Sequence, residues 1–243
     1  MRRMIVSGVV SLFALVTPGR LKAQQGSDES PQMGMMEMVM GGGSLTMSPH
    51  MTMTPTWREA TGDRARADSI VRVARAALAR YRDVRVAEQD GYRRFAPSIK
   101  QQRVYHYTSM ANALKARWTF DATAPTSLLY RPMPDGSVRL IGAMYTAPAR
   151  MSPEELNQRL PLSIAQWHQH TNLCFPRGTG KLTAAGGSAL ADPDRRFGFR
   201  GTITTKAACD AAGGEFHARV FGWMAHVNMF ADDGELWEHH TGM

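Results

Sequence analysis

Histidine placement is the feature of this chain that points most directly to chemistry. Two of the eight histidines stand one residue apart in Trp167-His168-Gln169-His170, and a third closes Gly222-Trp223-Met224-Ala225-His226. Alternate residues of a β-strand share a face, so His168 and His170 point the same way, about 7 Å apart at their Cα atoms. A neighbouring strand lies about 4.8 Å away, close enough for His226 to complete a three-imidazole set around one ion. Trp223, Ala225 and Val227 alternate with His226, as Trp167 does with His168, so one face reads as core and the other as a site. His106, between Tyr105 and Tyr107, has the same pattern and is a fourth ligand or a partner of the ligands. Neutral imidazoles suit zinc, copper, iron or nickel, and ligand type alone does not choose among them.

Sulfur narrows the choice. Met33, Met35, Met36, Met38 and Met40 crowd the N-terminal tract, followed by Met47, His50, Met51 and Met53. Thioethers select soft copper(I), so Met33, Met35, Met36, Met38, Met40 and His50 are tail ligand candidates, and the metal expected is copper rather than zinc or iron. Cys174, four residues after His170, invites a His-His-Cys copper centre, but Cys209 is the only other cysteine. Two cysteines in an exported chain most simply form one disulfide, here Cys174 to Cys209, which would hold the end of the histidine strand.

Export is read from the N-terminus. Arg2 and Arg3 precede an apolar stretch, Met4 to Val16, then Pro18-Gly19 and a small Ala23 before Gln24. This is the pattern of a signal peptide over residues 1–23, and the stretch falls short of the roughly 20 apolar residues that span a bilayer. The expected destination is periplasmic or secreted, with no stable membrane insertion after cleavage. Removing Arg2, Arg3, Arg20 and Lys22, with no acid among them, takes the net charge from +8 to +4. The remaining surplus lies between Arg58 and Arg103 as a solvated helix face, so no nucleic-acid partner is expected.

The elements that must position these residues follow from the pattern. Residues 24–56, rich in Gly, Ser, Thr, Pro and Met, are expected to be disordered, and 57–243 to form a single α+β domain. Apolar positions Ile70, Ala74, Ala77, Leu78, Tyr81 and Val84 imply one long amphipathic helix from Asp63 to about Asp90. Strands are expected at 104–108, 127–131, 138–145, 163–174 and 218–230, with a hairpin at Pro134-Asp135-Gly136. Short helices are expected after Ser152-Pro153 and near 205–212. The fold class is therefore α+β, the helix packing on an antiparallel-rich sheet or open barrel.

His106-Tyr107 with Ala113-Leu114, Leu128-Leu129-Tyr130, Asp135-Gly136 with Arg139-Leu140 and Gly142, and the Trp-His-x-His run resemble a group of exported bacterial proteins of uncharacterised activity. The resemblance covers about residues 65–235 and implies a helix followed by a histidine-bearing β domain. The His-x-His spacing with a later histidine is also similar to cupin metal sites, although the acidic ligand and Pro-x-Gly turn of cupins are absent.

The leading expectation is an exported metal-binding protein that holds copper through His168, His170 and His226. A metalloenzyme, an oxygenase or hydrolase, could use the same histidines with His106, Tyr107 or Glu215 as acid–base groups. No Gly-x-Ser-x-Gly, no His-Glu-x-x-His and no carboxylate pair near the histidines supplies a second catalytic element. A structural domain whose histidines line a polar groove is the third reading. His217, His239 and His240 carry least weight.

Overall fold

The computed structural model describes residues 49–97, 102–177 and 196–237. The signal-peptide residues, the tail methionines Met33 to Met47 and His239-His240 lie outside them. Among the described residues, seven strands and five α-helices run in the order β1 (Met51–Met53), α1 (Asp63–Leu78), α2 (Val84–Gln89), β2 (Arg93–Arg94), β3 (Tyr105–Thr108), α3 (Met110–Lys115), β4 (Ser127–Pro132), β5 (Val138–Ala147), α4 (Pro153–Arg159), β6 (His168–Pro176), α5 (Lys206–Ala211) and β7 (Gly214–Val227). The strands form one antiparallel sheet, ordered β1-β6-β7-β5-β4-β3-β2. The fold class is α+β.

The helical span breaks where continuity was expected. α1 buries Ala67, Val71, Ala74 and Leu78, one stripe at helical spacing. The chain then tightens into a 3-10 turn at Ala79–Arg82, and Asp83 turns extended. The Asp83 carboxylate accepts from the Arg85 N–H and caps α2, an alternative that competes with helix continuation. Tyr130 on β4 donates to the Tyr81 carbonyl at 2.7 Å, tying the turn to the sheet.

β4 and β5 form the hairpin expected at Pro134-Asp135-Gly136, where Gly136 takes the left-handed φ of 82° that the turn requires. Ser152 and Glu155 form a reciprocal capping box on α4. β6 begins at His168 rather than at 163, because Ile164 and Ala165 both donate to the Pro161 carbonyl in a turn. β1 lies inside the tract expected to be disordered, so the folded domain begins upstream of residue 57.

The core lies between α1 and one face of the sheet. Tyr107, Leu128, Tyr130, Ala143, Tyr145, Trp167, Ala225 and Val227 pack there with the α1 stripe, Leu156 and Leu160. The opposite face carries a smaller cluster of Leu129, Ile141, Met144 and Met224. Among the described residues, no helix is long and apolar enough to cross a membrane.

Candidate metal centre

β6 supplies His168 and His170, and it is held on one side by β1 and on the other by β7, which supplies His226. Period-2 alternation sends Trp167, Ala225 and Val227 into the core and the imidazoles to the other face. His168 is fully buried and His226 nearly so. Their ring centroids are 5.2 Å apart, and His170 lies 5.4 Å from His168.

His106 extends the row, its ring centroid 5.7 Å from that of His226. In strand order β5 and β4 stand between β7 and β3, an interstrand span of about 14 Å in a flat sheet. Rings that meet across it require a concave face with side chains leaning inward. The register shifts between Leu129 and Tyr130 and between His168 and His170 supply curvature, as bulges bend and twist the strands that carry them. Gly142 assists, because a Cβ there would run into the Val227 carbonyl, so its bare backbone lets the end of β7 close over β5 beside His226.

The separations can be compared with coordination geometry. A nitrogen about 2.0–2.1 Å from an ion puts its ring centroid about 3 Å away, and two such rings at tetrahedral angles stand about 5 Å apart. The neighbouring pairs here are at 5.2, 5.4 and 5.7 Å. Among the described residues, no three His, Cys, Asp or Glu side chains stand with their donor atoms around one point. Rotation about χ2 swings the ring nitrogens while leaving the centroids almost in place, and that torsion is soft. Adjacent rings thus stand at separations that two ligands of one ion would have, but no three of them are turned toward a common point.

His170 retains some exposed surface, yet protein surrounds most of it, with Phe199 edge-on at 4.9 Å. Burial, with smaller contributions from His226 and His50, pushes its pKa down to about 4, while a hydrogen bond to the His50 backbone acts in the opposite sense. At neutral pH this ring is an uncharged base, the form that binds metals.

Other expected participants lie elsewhere. His50 sits just before β1, with Nδ1 2.9 Å from the Asn172 carbonyl and Nε2 2.5 Å from that of Gly201. With both nitrogens on carbonyls, His50 ties β1 to β6 and to the loop before α5, and it is not a tail ligand. Tyr107 is on the core face, edge-on to Tyr130 at 4.9 Å, so it is not an acid–base group for the histidines. Glu215, at the far end of β7, faces His217 at 3.5 Å, which removes both from the cluster. Cys174 and Cys209 form the disulfide, with a Cα–Cα distance of 5.6 Å, so neither sulfur is a ligand.

One feature of the face was not anticipated from sequence. Met53 and Met224 both stand opposite His168, Met51 opposite His170, and Met144 opposite His226. The signal was present, since Met224 lies two residues before His226, but assigning Met144 and Met51 to this face requires the strand order.

No family model, no curated protein and no solved structure matches the chain.

Proposed function

We propose that the protein is an exported copper-binding protein whose folded domain holds the ion through His168, His170 and His226, with His106 at the end of the row. The observation that carries this reading is the contiguous row of imidazoles on the sheet face turned away from the main core, at spacings that suit ligands of a shared ion. The uncharged state in which burial keeps His170 suits a nitrogen donor to a metal. Copper is favoured over zinc or iron by the methionine-rich tract that precedes the domain, and the periplasmic or secreted location rests on the signal-peptide pattern. Binding is favoured over catalysis because two of the three acid–base candidates lie away from the row, Tyr107 in the core and Glu215 beside His217 at the far end of β7, while the third, His106, is part of the row itself.

Metal analysis of protein purified from its native compartment tests the reading. Copper is expected in stoichiometric amount, and the paired variant His168→Ala/His226→Ala should lose it while keeping its circular-dichroism spectrum. Zinc or iron in its place, or copper retained by the variant, would overturn the assignment.

A further inference from the structure

Among the described residues, the strands contain four methionines, Met51, Met53, Met144 and Met224, and each of them is cross-strand partner to a histidine of the row. The core face of the same sheet is built from Tyr107, Leu128, Tyr130, Ala143, Tyr145, Ala225 and Val227, with no methionine at its strand positions. A demand for apolar filling would have drawn on β-branched and aromatic residues for both faces, since these suit strands best. Within the described strands, thioethers stand only on the face that carries the imidazoles, whereas Met229 and Met151, outside the strands, pack with the main core.

Resting on the copper reading above, we propose that Met224 and Met144 are thioether ligands of the same centre, with Met51 and Met53 at its rim, and that they make it a copper(I) site. Directly opposed residues place their Cβ atoms about 4.5–5.5 Å apart, so a methionine sulfur reaches the space in front of the imidazole it faces. Met224 is the best placed, opposite His168 and two residues before His226 on the same face of β7. Met144 faces His226 from β5, and both thioethers are more than nine-tenths buried and belong to one cluster. Soft sulfur prefers copper(I), whereas imidazole also suits copper(II) and zinc. Mixed donors therefore give the site a preference by oxidation state that histidines alone would not give. The rim methionines are also the last two of the tract that begins at Met33, so the tract and the centre are continuous in sequence.

The test uses the full chain with Met33, Met35, Met36, Met38, Met40 and Met47 changed to Leu, so that only the domain binds. Copper(I) and zinc(II) affinities are measured by competition with chromophoric chelators, without oxygen, before and after adding Met144→Leu/Met224→Leu. Leucine conserves volume closely enough to keep the fold. Copper(I) affinity is expected to fall at least about tenfold, with zinc(II) affinity changed by less than about twofold. Equal or negligible loss for both metals would overturn the thioether assignment while leaving a histidine site intact. Copper(I) and zinc(II) binding both indifferent to His168→Ala/His226→Ala would instead sink the histidine reading itself. As a check that needs no substitution at the site, silver(I) added to protein with isotope-labelled methionine methyl groups should shift the Met144 and Met224 resonances, and unmoved resonances would reject the proposal.

Discussion

At the scale of single residues, His170 makes the sharpest claim. Its folded pKa of about 4 lies below the ordinary 6.5, because burial and the neighbouring His226 and His50 oppose a second proton. The unfolded chain takes that proton near pH 6.5 while the folded protein refuses it until about pH 4. Stability from this residue is therefore complete above pH 6.5, declines as pH falls from 6.5 to 4, and changes no further below. Carboxylates titrate in part of the same window, so the informative quantity is a difference. Calorimetry of metal-free protein should show a shallower fall in Tm between pH 6.5 and 4 for His170→Gln than for the native chain, and parallel curves would refute the assignment. The facing of His168, His170 and His226 was legible because strand alternation is a local rule. The nearness of His106 to His226 was not, since it depends on four strands and the curvature of the sheet between them.

At the scale of elements, the sequence pattern was most informative where a local device enforces an element. α4 has its serine cap, its first-turn proline and its acids, and forms where those residues say it should. The span after Asp63 shows the reverse, because apolar spacing persists through Tyr81 and Val84 while the backbone turns at Asp83, which caps a new helix from inside the pattern. β7 is bent by a bulge in which Phe221 adopts φ 66°, an uncommon conformation for a bulky residue, between the positions that face His170 and His168. The disulfide fastens the other end of β6 to α5 across a sequence separation of 35 residues. Its removal by Cys174→Ala/Cys209→Ala should cost about 4 kcal/mol in the chain-entropy account, read as a lower denaturation midpoint with a somewhat steeper slope, since the unfolded chain expands once the cross-link is gone. An unchanged midpoint would mean that the constraint on the unfolded chain is negligible here.

At the scale of the whole molecule, β1 decides where the domain starts. Three residues of Met-Thr-Met carry too little pattern to be told from the low-complexity tract around them, and only pairing with β6 identifies them as a strand. That pairing is reinforced around it. The Thr54 N–H donates to the Trp167 carbonyl, the Thr54 hydroxyl accepts from the Trp167 N–H, and His50 spans two carbonyls beyond the other end. β1 thus covers the edge of the histidine strand, and without it β6 would present unpaired backbone groups beside His168 and His170, an edge that invites pairing with another chain. Two deletions separate a dispensable tract from a structural strand. Loss of residues 24–47 should leave the thermal transition of the domain unchanged, while loss of 24–54 should lower Tm, promote association and weaken metal retention together. If the longer deletion matched the shorter in Tm, oligomeric state and bound copper, β1 would contribute nothing to the centre, and the rim positions of Met51 and Met53 would have no consequence for the ion.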